Sequence, residues 1–278
     1  MLLFYLLIFF FGAFIGSFLN VLIDRPARGE TVFWGSSHCE KCNHKLVWND
    51  LIPLWSYIRL GGRCRYCRPP IPFWLPVVEV TTGLLFVLAT YIFGLTSSNL
   101  SMINMAIWLY GYMTISLLIV IFFSDLKYHL IYDSIVYLAI GATLLYRLFC
   151  FFMPNVLPIT HYALPITNYF FSAFLSAAFF YLLYALGPKI CHQDTTGLGD
   201  VKLAFLMGLL LGYPKIIIAL YLAFLTGALV GVILILVKKA ERKSQIAFGP
   251  FLVGATFVAW FFGEGIWEAV MTLLKYAN

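Results

Sequence analysis

Residues 2–23 read LLFYLLIFFFGAFIGSFLNVLI, twenty-two consecutive positions without one charge. About twenty apolar residues in a helix cross a hydrocarbon core of roughly 30 Å. A secretory signal would carry a basic segment before this core and a small-residue cleavage site after it, and neither is present. The stretch therefore reads as a retained first transmembrane helix. The same signature recurs along the chain. Apolar runs at about 74–95, 103–123, 130–152, 167–187, 200–213, 215–237 and 246–262, the last extending toward 276, predict about eight crossings. The run 200–213 is short for a full crossing, and Gly212-Tyr213-Pro214 follows it.

Composition agrees. Of 278 residues, 62% are hydrophobic and 11% charged, where a soluble domain carries about a quarter charged residues. Mean hydropathy is +0.92. The expected fold is all-α and polytopic.

The net charge of +6 does not signal nucleic-acid binding, because the basic residues follow topology. Arg25, Arg28, Lys41, Lys45, Arg59, Arg63, Arg65 and Arg68 gather between the first two helices, and Lys238, Lys239, Arg242 and Lys243 share one short loop. Basic loops face the cytoplasm, which puts the N-terminus outside and the segments 24–73, 124–129, 188–199 and 238–245 inside.

The one sizeable polar segment, 24–73, is too small to build a core of its own and calls for a metal or disulfides. It contains HCEKC (38–42) and RCRYC (63–67). Cys39-x2-Cys42 and Cys64-x2-Cys67 each aim two thiolates at one ion, and four sulfurs close a tetrahedral structural Zn²⁺ site. In a reducing cytoplasm, metal is the expected state of such pairs. Idle or redox-active thiols are the alternative. His38 and His44 flank the first knuckle without being needed, and Cys150 and Cys191 read as structural.

Among the acids at or within membrane runs, three stand out. Asp125 ends one in FFSDLKYHLIYDS (122–134), Asp200 opens another in GLGDVKL (197–203), and Glu79 sits inside PVVEV (76–80). Intramembrane acids are costly and mark functional positions. Asp200 also suits a helix start, where it could cap free amides. Two neighbouring carboxylates share a proton, one activating water while the other protonates a carbonyl oxygen. Gly197 and Gly199 give the Asp200 turn freedom and leave room for a substrate backbone.

In order along the chain, GSFLNVLIDRP (16–26), the paired CxxC around NDLIPLWSYIRLGGRCRYC (49–67), PVVEV, Asp125 with Ile131 and Asp133, GLGDVKL, and FGPF (248–251) resemble the type IV prepilin peptidases, or leader peptidases. The resemblance implies an eight-helix aspartic protease of the bacterial inner membrane with Asp125 and Asp200 as its catalytic pair. Its substrates would be prepilins or pseudopilins, cut on the cytoplasmic side. The four-cysteine insert is similar to that of the bifunctional branch, which N-methylates the new terminus with S-adenosylmethionine. Residues 1–23, 24–73 and 74–278 would then be the first helix, the zinc-binding insert and the transmembrane peptidase domain. Three positions depart from the family pattern: Tyr132 stands where Pro is usual, Leu198 where Gly or Tyr is common, and Arg25 is directly followed by Pro26. None removes a carboxylate.

Glu79 and Asp194 offer negative charge to a basic leader, and Lys202 is positioned to pair with an acid or with lipid headgroups. No GxGxxG follows a strand, so the methyl donor has no Rossmann site. Asn20 and Arg25, with Glu79, are the candidates to hold it. Competing readings are a peptidase without methylation, a zinc-stabilised assembly protein without catalysis, and a proton-coupled transporter. The last is disfavoured because the acids gather at one face and no inverted repeat occurs.

Overall fold

The computed structural model describes residues 1–32, 34–94, 102–152, 165–191, 197–237 and 247–276. Among them the regular structure is helical: α1 (Leu2–Ala27), α2 (Trp55–Arg59), α3 (Trp74–Ile92), α4 (Met102–Tyr128), α5 (Asp133–Phe152), α6 (Ile166–Cys191), α7 (Leu198–Leu211), α8 (Lys215–Leu236) and α9 (Gly249–Tyr276). Seven of these, all but α2 and α7, are long and apolar enough to cross a membrane. The eighth expected crossing is α7. Its 14 residues rise about 21 Å, less than the roughly 30 Å of a hydrocarbon core. The chain divides into two compact units, Met1–Phe123 and Ser124–Asn278.

In the first unit, α1 packs on α3 through small residues. Gly12 and Gly16 form a GxxxG pair, the spacing that lets membrane helices approach closely. A Cβ at Gly12 would lie 2.8 Å from Gly83 Cα, and one at Gly16 would lie 2.8 Å from Glu79 Cα. The backbones touch there, and no side chain fits between them. Farther along, Phe86 of α3 stacks on Tyr112 of α4 at 4.2 Å, and the Tyr112 hydroxyl meets Thr90 Oγ1 at 2.6 Å. The insert belongs to this unit, and its backbone is tied to α3 where Leu54 N–H donates to Glu79 Oε2 at 2.8 Å.

In the second unit, α7 is the central helix. Leu203, Ala204, Leu206, Met207, Leu209, Leu210 and Leu211 are all buried, packed against α5, α6, α8 and α9. Such a helix is apolar all round, as burial on every side requires. A Cβ at Gly208 would stand 2.5 Å from Ser172 O and from Ala173 Cα, so α6 and α7 are in backbone contact. Ser176 Oγ of α6 adds a hydrogen bond to Ala204 O at 2.8 Å. Because α7 ends early, its last carbonyls need donors from the protein. Arg147 Nη2 of α5 donates to Leu210 O at 2.5 Å, with its guanidinium 3.5 Å from the centre of the Tyr169 ring. Gly212, at φ +67, turns the chain, and Tyr213 N–H donates to Asn168 Oδ1 at 2.7 Å. The short run thus ends at a built turn, and α8 starts three residues later.

Candidate active site

Asp125 lies in the last turn of α4 and Asp200 in the first turn of α7, both within the second unit. They are 6% and 9% exposed. Each is held at one oxygen by a backbone amide at a helix start. Asp125 Oδ2 accepts from Gly249 N–H, the first residue of α9, at 2.9 Å. Asp200, the third residue of α7, reaches back to Gly197 N–H at 3.1 Å. A carboxylate beside free N-terminal amides also gains from the helix dipole. Among the described residues, Oδ1 of each acid accepts no hydrogen bond. The pair therefore presents one fixed and one available oxygen per carboxyl.

The neighbouring glycines divide their work unexpectedly. Gly197 sits at φ −91, ψ 158, an extended conformation open to any residue, so no special backbone freedom is used there. Gly199 supplies space: a Cβ would meet Ile131 at 3.0 Å, which lets the α4–α5 link pack on the start of α7. Two further residues join the site that the sequence did not single out for it. Gly249 has no room for a side chain, since a Cβ would stand 2.5 Å from Asp125 Oδ2. His129, at φ 54, closes α4 with its N–H on Asp125 O at 2.9 Å. A histidine four residues after the acid was the legible signal. Lys202 is paired with Asp133 Oδ1 at 2.7 Å, near Tyr137. Asp194 lies outside the described residues.

Glu79, Asn20, Arg25 and the four cysteines lie in the first unit. Glu79 is 8% exposed and its Oε2 accepts from Leu54 N–H. Leu54 holds φ 61, a costly backbone state for a residue with a side chain, and the Glu79 bond helps to fix it. Asn20 Nδ2 donates to Leu75 O at 3.2 Å, while its Oδ1 is buried and has no partner among the described residues. The Arg25 guanidinium donates to the carbonyls of Thr31, Val32, Trp34 and Gly35 at 3.1–3.4 Å. It folds the start of the insert around itself.

The ligand atoms of Cys39, Cys42, Cys64 and Cys67 all lie within 4.8 Å of one another, and Cys39 Sγ is 3.7 Å from Cys67 Sγ. Tetrahedral Zn²⁺ with bonds of about 2.3 Å requires sulfurs about 3.8 Å apart, so the donor set fits. The two knuckles share one design. Asn43 (φ 52) follows Cys42 and donates to Cys39 O, and Arg68 (φ 59) follows Cys67 and donates to Cys64 O. His38 and His44 are outside the cluster; His44 stacks on Tyr66.

Comparison with known proteins gives two family matches in order along the chain. The model of the bacterial peptidase A24 N-terminal domain matches residues 10–93, and that of the type IV leader peptidase family matches 112–232. Three relatives, each named prepilin leader peptidase/N-methyltransferase, resemble the chain over most of its length. The Myxococcus xanthus protein is 30% identical over 239 residues, 84% of this chain and 64% of the relative. The Bacillus subtilis protein is 27% identical over 260 residues, 94% and 95% respectively. The Pseudomonas aeruginosa protein is 26% identical over 290 residues, 96% and 92%. No solved structure matches. With the two domain models matching in order and relatives spanning nearly all of it, the chain belongs to the type IV leader peptidase family.

Proposed function

We propose that this multi-pass membrane protein cleaves the leader from type IV prepilins or pseudopilins, with Asp125 and Asp200 as the catalytic dyad. The observation that carries the proposal is the paired clamp: two buried carboxylates, each with Oδ2 on a helix-terminal amide and Oδ1 without a hydrogen bond among the described residues. Carboxyls whose charges interact share one proton. The ionised member takes a proton from water, and the water oxygen attacks the scissile carbonyl. The protonated member gives its proton to that carbonyl's oxygen, and collapse of the tetrahedral intermediate sends a proton to the departing amine. Gly249 and Gly197 hold the two groups in place, and Gly199 lets the elements around them close.

The names carried by the relatives support a second activity, N-methylation of the newly exposed terminus with S-adenosylmethionine. The four cysteines would hold a structural Zn²⁺, whose closed coordination leaves no position for chemistry. By the charge of its loops, the N-terminus faces outward and cleavage occurs at the cytoplasmic face of the bacterial inner membrane, among its lipids. Asp194 is proposed to face the basic leader, and Lys202 to brace the start of α7 through Asp133. Glu79, engaged by Leu54, is proposed to support the first unit from within.

The test is mass-spectrometric cleavage of a prepilin in lipid, with and without S-adenosylmethionine. Asp125→Asn and Asp200→Asn should each lower cleavage at least about a hundredfold while leaving the fold intact. Undiminished cleavage in either variant would sink the dyad. Cleavage without methyl transfer in the wild type would leave a peptidase alone.

A further inference from the structure

The insert carries a short two-faced helix. On α2, Ser56, Tyr57 and Leu60 turn toward the interior of the first unit and line a cavity there. Trp55, Ile58 and Arg59 occupy the opposite arc, since residues three and four apart share a helix face. Trp55 is 59% exposed and Ile58 72%, and the turn packed beside α2 adds Trp48 at 74%. Exposed apolar side chains on the spanning helices meet lipid. These three lie outside every spanning helix, where grouped exposed apolar residues mark an interaction surface.

The depth of this face follows from its anchor. Leu54, immediately before α2, donates its N–H to Glu79 Oε2 of α3 at 2.8 Å. The 19 residues of α3 rise about 28 Å, only just enough for a hydrocarbon core of roughly 30 Å. The start of α3 therefore lies at the edge of that core. Glu79, five residues after Trp74, lies about 8 Å inside it. An independent ruler agrees. Gly16 of α1 packs against Glu79 Cα and stands 14 residues after Leu2, a rise of about 21 Å, which from the opposite edge leaves about 9 Å. The beginning of α2 is thus level with the first turns of α3. Amphipathic helices bury their apolar side at this depth, roughly 5–10 Å into the boundary between headgroups and acyl chains.

Charge completes the fit. Arg59 shares the exposed arc, and Arg63 follows it after Gly61-Gly62. Among the described residues neither pairs with an acid, whereas Arg65 is held by Asp50 at 2.7 Å. Tryptophan at the interface with cations beside it is the arrangement of a helix lying on an anionic bilayer. We infer that α2 is an interfacial helix: Trp55 and Ile58 insert into the leaflet, and Arg59 and Arg63 engage the phosphates of anionic lipids. The insert then touches the membrane at a third place besides its two ends, and α2 stands between lipid and the cavity behind it. The inference is independent of the dyad and of methylation.

The experiment uses the full chain in nanodiscs of phosphatidylcholine and phosphatidylglycerol, with the photo-crosslinking residue benzoylphenylalanine in place of Ile58. Irradiation, digestion and mass spectrometry should find lipid adducts there. The same probe in place of Phe14, a 56% exposed residue of α1, is the control and should give them too. Arg59→Gln together with Arg63→Gln should lower the ratio of phosphatidylglycerol to phosphatidylcholine adducts, about fivefold for each charge. Metal content and the unfolding transition report whether each variant has folded. Should the arginine variant fail to fold, the probe in place of Ile58 with both arginines present still decides. No lipid adduct at that position, with the Phe14 control labelled, would overturn the inference, as would a folded arginine variant whose ratio matches that of its parent. Adducts to a second copy of the chain or to an added prepilin, in place of lipid, would also overturn it and give this face to a protein.

Discussion

Gly249→Ala tests the dyad without touching either acid. The added Cβ would stand 2.5 Å from Asp125 Oδ2 and 3.1 Å from its Cγ, whereas ordinary van der Waals contact starts at 3.4 Å. The carboxylate must therefore retreat by about 0.9 Å. Asp125 is a short side chain at the end of a helix, so the retreat costs the fold little, about 1–3 kcal/mol for overpacking. It also lengthens the 2.9 Å bond from Gly249 N–H, which contributes about 1.5–3 kcal/mol to an ionised carboxyl. Displacing a reacting group by about 1 Å costs on the order of a hundredfold in rate. The expected variant is folded, inserted in the membrane and about a hundredfold slower in prepilin cleavage. Rates come from a time course of leader release by mass spectrometry, with the unfolding transition measured on the same preparation. Cleavage within threefold of wild type, in a variant that accommodates alanine, would show that the clamp does not position the reacting carboxylate.

Gly208→Val should fail to assemble or lose well over about 1–3 kcal/mol, because its Cβ meets the α6 backbone at 2.5 Å; Gly141→Ala, with nothing within 4 Å, should unfold like the wild type. Zinc removal, by chelation or by Cys39→Ser with Cys67→Ser, should take metal content by mass spectrometry from about one ion per chain to none. Lys202→Ala breaks a partly exposed ion pair with Asp133 and should change stability by less than about 1 kcal/mol, as read from the unfolding midpoint.

Much of the architecture was legible in the sequence because long uncharged runs permit few alternatives in a bilayer. The cysteine spacing revealed its cluster for a similar reason, since two local knuckles need only be brought together. Asp125 and Asp200 stood out as acids where acids are costly. The missing parts depend on partners distant in sequence. Gly249 is 124 positions from Asp125, and no periodicity links them. The length of α7 was visible as a short run, but what completes its end was not. Arg147 lies 63 positions before the carbonyl it caps, and alone it reads as an isolated cation in an apolar helix. Glu79 stood out as a buried charge whose role the sequence left open; its partner Leu54 is in a loop 25 residues earlier.

The clamps on the two acids come from main-chain amides, and that shapes how the enzyme can fail and how freely it can drift. Side-chain donors would expose the site to loss wherever those residues changed. Amides are supplied by every residue but proline, so the loop before α7 can vary widely at Gly197 without losing its grip on Asp200. At position 249 the tolerance is narrow, because any side chain strikes the group being held. A random-mutagenesis screen for lost processing should therefore recover few changes around the acids, with position 249 intolerant of nearly every replacement and position 197 sensitive chiefly to proline.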